Sequence, residues 1–144
     1  MSNVVYTLGT STRSREEFLR LLCHFGISQV ADVRRFPTSR LQHFQQDNLA
    51  QFLREAGIGY IYLGKELGGY RQGGYRKYTA TVDFQEGLGR LEEEARRKPT
   101  TILCAERLPW KCHRRFIAAE LERRGWRIIH IIDEKRTWET ATGG

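Results

Sequence analysis

Along this chain, short apolar runs alternate with longer segments whose apolar residues recur at helical spacing. VVYTL (4–8), SQVADV (28–33), YIYL (60–63), TTILCA (100–105) and RIIHII (127–132) have the length and the β-branched or aromatic content of buried strands. After the first run, Ser14 and Glu17 form the S-x-x-E pattern of a capping box. Phe18, Leu21, Leu22 and Phe25 follow on one helical face, and Gly26 stands where that helix should stop. Cys23 lies within this stretch and is expected in the core. Asp47 is positioned to cap a second helix (Leu49, Phe52, Leu53, Ala56) ended by Gly57, and Asp83 a third (Phe84, Leu88, Leu91, Ala95) closed by Lys98-Pro99. Residues 111–124 form a fourth, using Phe116, Ile117 and Leu121, with Gly125 as its stop.

A strand, a helix and another strand in succession pack as a right-handed crossover between parallel strands. The expected fold class is therefore α/β: a single domain over 1–134 with a mostly parallel five-stranded sheet, helices as crossovers, and Rossmann-like or flavodoxin-like layering. Residues 135–144 read as a frayed C-terminal tail.

Several classes are disfavoured. No apolar run approaches the roughly 20 residues that cross a bilayer, and the N-terminus lacks the basic region of a secretory signal. Cytoplasmic location and no membrane partner are the expectations. Cys23, Cys104 and Cys112 are an odd number without scaffold spacing, which suits a reducing compartment. The net charge of +7 favours a polyanionic partner, nucleic acid (DNA or RNA) or a phosphorylated ligand.

In open parallel sheets, ligands bind outside the carboxyl ends of the strands. The segments leaving those ends are GTSTR (9–13), DVRRFPTSR (32–40), GKELGGYRQGGYRKYTATV (64–82) and CAERLPWKCHRR (104–115), and they hold most of the unusual chemistry. Through TLGTS (7–11), DVRRFPTS (32–39), LGGYR (67–71) and CAERLPWKCHRR, the chain resembles the bacterial and archaeal family called domain of unknown function 488. The resemblance implies a compact α/β domain with these motifs at one functional edge, and no reaction. Thr10 stands where the first motif often carries a histidine, so no imidazole role carries over to it.

Residue types then suggest roles. Arg34, Arg35, Arg71, Arg76, Lys77 and Arg114 are candidate phosphate partners, with Thr10, Ser11 and Ser39 as hydroxyl donors. Tyr70 and Tyr75, interleaved with cations in a glycine-rich stretch, offer rings on which unpaired bases stack. No Walker or dinucleotide glycine signature is present, and no cofactor is implied. Were the second and fourth strands neighbours, Asp32 and Glu106 would face one pocket as a general acid/base pair. Cys112 beside His113 is a candidate thiol centre, although adjacent side chains on a helix diverge. Cys104 ends a buried strand and reads first as core. A phosphatase-like C-x5-R loop fails because the sixth residue after Cys104 is Trp110, and metal ligation lacks a fourth ligand.

The leading expectation is a nucleic-acid-binding α/β protein that hydrolyses a base–sugar or phosphoester bond with Asp32 and Glu106. The alternatives are a small-molecule thiol enzyme using Cys112 and Cys104, and a non-catalytic nucleic-acid-binding module.

Overall fold

The computed structural model describes residues 3–140. Its strands are β1 (Val4–Gly9), β2 (Gln29–Asp32), β3 (Gly59–Tyr62), β4 (Thr100–Cys104), β5 (Arg127–Ile131) and β6 (Thr137–Trp138), in one sheet of order β3-β2-β4-β1-β5-β6. The first five, each matching an apolar run, pair in parallel. The sheet has six strands rather than five, because Thr137 and Trp138 pair antiparallel with Ile131 and His130. Two exposed residues carry no periodic signal, so β6 is invisible in the apolar pattern. It falls in the segment read as a tail, of which residues 141–144 lie outside the described residues.

The helices are α1 (Arg15–His24), α2 (Gln46–Glu55), α3 (Gly64–Leu67), α4 (Tyr75–Tyr78), α5 (Val82–Arg97) and α6 (Arg114–Arg123). Ser14 caps α1 by accepting from the Glu17 N–H at 3.0 Å, but the Glu17 carboxylate pairs with Arg13 instead of closing the box. Asp47 and Asp83 are not the caps of α2 and α5. Gln45 and Thr81 hold those positions, and the two carboxylates sit in the first turn, where they still complement the helix dipole. The last helix starts at 114 rather than 111, because Pro109–Lys111 forms a 3₁₀ turn and Cys112 is extended (φ −129°, ψ 151°). The glycine-rich stretch after β3 contains the two short helices α3 and α4.

Alternation along the strands sends side chains into two cores. Leu8, Val30 and Leu103 meet α1 and α2 through Phe18, Leu22, Leu49 and Leu53, while Val5, Ala31, Ile102 and Cys104 meet α3, α5 and α6 through Leu67, Leu88, Leu91, Ile117 and Leu121. Cys23 is exposed, contrary to expectation. Phe18, Leu21 and Leu22 form the buried stripe of α1, and the next residue, about 100° further round, turns to solvent.

Candidate functional site

β2 and β4 are neighbours, and the segments leaving their carboxyl ends border a cavity of about 740 Å³. Arg34, Arg35, Phe36 and Thr38 line it from beyond β2, and Gly69 and Tyr70 from between α3 and α4. The remaining wall is Cys104, Ala105 and Glu106 after β4, and Lys111, Cys112 and His113 before α6. Three of the four post-strand motifs thus converge. The first does not: the Thr10 and Ser11 N–H groups donate to the carbonyls of Cys104 (2.8 Å) and Ala105 (2.9 Å), extending the β1–β4 ladder instead of facing the cavity. That junction is tight, since a Cβ on Gly9 would sit 1.9 Å from the Glu106 carbonyl oxygen.

The expected carboxylate pair does not form, although its condition on strand order is met. The Asp32 side chain is fully buried and does not line the cavity. Its oxygens accept from Arg34 Nε and Nη2, both at 2.9 Å, and from the Tyr60 hydroxyl at 2.7 Å. Burial first, and then the Asp32 charge, push the Tyr60 hydroxyl far up, which keeps it a donor. Arg34 gives Nη1 to the Phe44 carbonyl at 2.7 Å, so its fork is spent inside the protein. Asp32 and Arg34 are therefore a buried structural pair. Glu106 is the only carboxylate on the cavity wall among the described residues, exposed and accepting the Leu108 N–H at 3.3 Å.

Other expected ligand-binding residues are committed elsewhere. Tyr75 is a core residue: its hydroxyl donates to the Leu67 carbonyl and its ring packs on Phe84, Phe116 and His113. Arg71 bonds the carbonyls of Gly68 and Lys65 and lies 4.0 Å over the Tyr78 ring, tying the loop together. The Ser39 hydroxyl accepts the Leu41 N–H in a local turn. Arg76 and Lys77 are exposed on α4 and do not line the cavity.

Arg114 is fully buried. Nη1 donates to the Glu106 carbonyl at 2.6 Å and to Cys104 Sγ at 3.1 Å, Nη2 donates to the Arg107 carbonyl at 3.0 Å, and Nε has no partner among the described residues. Burial pushes its guanidinium down to about 10; the Glu106 charge opposes this and the Arg13 charge adds to it. At neutral pH it remains a cation. Cys112 Sγ accepts the Arg114 backbone N–H at 3.5 Å and lies 3.7 Å from His113 Nδ1. Cys112 and His113 do approach each other, because both precede the helix on which adjacent side chains would diverge. Burial lowers His113 to about 4, so the ring is neutral; its Nε2 meets the Val33 carbonyl at 3.2 Å, which leaves Nδ1 an acceptor towards Cys112.

At the mouth, Phe36 is 63% and Tyr70 85% exposed, with ring centroids 6.1 Å apart. Tyr70 holds a left-handed backbone (φ 60°), and Arg35 Nη1 donates to its carbonyl at 2.5 Å. Arg35 also lies 5.6 Å from the Phe36 ring centroid. Phe36 and Lys111 escaped the sequence reading. The signal for Phe36 was an aromatic residue between two arginines and a proline, which is poor company for a core side chain. Trp110, 44% exposed, packs edge-on against Trp138 with centroids 5.6 Å apart. Among the described residues, no three His, Cys, Asp or Glu side chains are grouped to hold a metal ion, and no helix is long and apolar enough to cross a membrane.

The model of the family described as domain of unknown function DUF488 matches residues 14–121, which include three of the four motifs at the sheet edge. No curated protein and no solved structure matches the chain.

Proposed function

The chain belongs to the DUF488 family, and from that premise we propose that its cavity binds a nucleotide-bearing anion, a single strand of nucleic acid or a nucleotide, and hydrolyses a base–sugar or phosphoester bond in it. The observation that carries the reading is the mouth of the cavity, where two exposed rings, Phe36 and Tyr70, stand beside the cation Arg35, with a second cation, Lys111, on the wall of the same cavity. Bases stack on such rings without sequence preference, and cations hold the phosphates between them. Arg35 commits only Nη1 to loop carbonyls, leaving the rest of its fork for a ligand. Helices on both sides of a mostly parallel sheet, in a Rossmann-like layering, commonly place a ligand at this edge. Glu106 is the group offered for proton transfer; with Asp32 sealed away, it works as a single carboxylate, not as half of a pair.

The test is binding of fluorescent single-stranded DNA and RNA, duplexes and mononucleotides across a salt series. Affinity should fall steeply as salt rises, and Arg35→Ala with Lys111→Ala should flatten the log–log slope by about 1 for each lost phosphate contact. Phe36→Ala or Tyr70→Ala should cost about 1–3 kcal/mol at any salt. No binding at low salt would sink the reading. Binding without turnover that Glu106→Gln removes would leave only the non-catalytic module.

A further inference from the structure

A buried guanidinium in contact with neutral groups alone is an expensive arrangement, and an anion in contact with it relieves the cost. Among the described residues, the Arg114 guanidinium bonds two carbonyl oxygens and the Cys104 sulfur, and its Nε has no partner. Of these atoms only Cys104 Sγ, 3.1 Å from Nη1, can take a full negative charge. The backbone N–H of the same residue reaches Cys112 Sγ at 3.5 Å. The two thiols are free, and both sulfurs meet Arg114, Cys104 Sγ at its guanidinium and Cys112 Sγ at its backbone N–H. Both line the cavity, Cys104 2% and Cys112 9% exposed. Cys104 is fixed at the end of a central strand. Cys112 lies in the extended link ahead of α6.

We propose that Cys104 and Cys112 form a redox-active dithiol that exchanges with small-molecule disulfides entering the cavity, with Arg114 holding Cys104 as the attacking thiolate. The Cys104 thiolate attacks one sulfur of the small disulfide, forming a mixed disulfide and expelling one thiolate. The Cys112 thiol gives its proton to that thiolate and attacks Cys104 Sγ, forming the Cys104–Cys112 bond and expelling the second thiolate. Two electrons pass from the protein sulfurs to the small disulfide, which leaves as one thiol and one thiolate that takes its proton from solvent. This activity does not depend on the nucleotide reading.

The test equilibrates the full chain in glutathione and glutathione-disulfide mixtures, quenches with an alkylating reagent, and maps the modified peptides by mass. Cys23, exposed on α1, is the internal reference. The expected result is that Cys104 and Cys112 lose alkylation together in one two-electron transition that yields their linked peptides, while Cys23 still alkylates. Cys112→Ser should stop at a glutathione adduct on Cys104, and Cys104→Ser should give no more adduct at Cys112 than at Cys23. Arg114→Lys should retain exchange, while Arg114→Gln should slow adduct formation about tenfold or more at neutral pH. Independent titration of the two cysteines with no linked peptides in any mixture would overturn the proposal. So would an adduct on Cys112 in preference to Cys104. Where an Arg114 variant does not fold, the titration of the unaltered protein decides alone.

Discussion

Asp32 and Glu106 differ more in surroundings than in chemistry, and this yields opposite expectations for them. Removing the Asp32 carboxylate strands the buried Arg34 guanidinium and the Tyr60 hydroxyl. Asp32→Ala should therefore cost about 3–5 kcal/mol in chemical denaturation, whereas Glu106→Gln, on an exposed side chain, should stay within about 0.5 kcal/mol. Two buried histidines give a pH prediction. Burial lowers both His113 and His130 from 6.5 to about 4, and His130 Nδ1 is further engaged by the Thr7 hydroxyl at 2.6 Å. The unfolded chain therefore binds protons at higher pH than the folded one. The stability these rings contribute is present in full above pH 6.5, and is lost as pH falls towards 4. Thermal melts between those limits should show a falling Tm, and His130→Gln should flatten the slope. At this scale the sequence revealed which residue types would meet, but not which of them were already occupied. Arg34, Arg71 and Tyr75 looked available because nothing in a linear string shows that Phe44, Lys65 and Leu67 offer them carbonyls.

The elements were more legible than their junctions. Five strands follow directly from five apolar runs, because parallel strands covered by helices read as mostly apolar stretches, not as a strict alternation. The caps and the start of α6 are less legible, because neighbouring residues of similar capping chemistry compete for one position. Thr81 outcompetes Asp83 as a cap by bonding the Phe84 N–H at 3.2 Å, and Pro109 starts a 3₁₀ turn three residues before Cys112. The junction of β1 with the segment after β4 is the least forgiving. Gly9→Ala would drive a methyl group into the Glu106 carbonyl, so the segment carrying Glu106 must shift. The expected loss is about 1–3 kcal/mol or more, read by denaturation.

Across the whole molecule, two cores share one sheet, and Leu53 and Leu88 lie in different ones. Each Leu→Ala change should cost about 2–5 kcal/mol, and the double variant should equal the sum within about 0.5 kcal/mol, in one denaturant transition. A double variant that unfolds in two steps would mean that the faces are not one cooperative unit. The antiparallel strand at the sheet edge brings Trp138 to Trp110, beside the Lys111 wall of the cavity, while Trp126 is buried and donates to Glu92 at 2.9 Å. These are the chain's three tryptophans. The protein thus carries a built-in optical gauge. A molecule bound against Lys111 should alter the emission of the Trp110–Trp138 pair in a fluorescence titration, while the third indole, shut away behind α5 and α6, should hold steady.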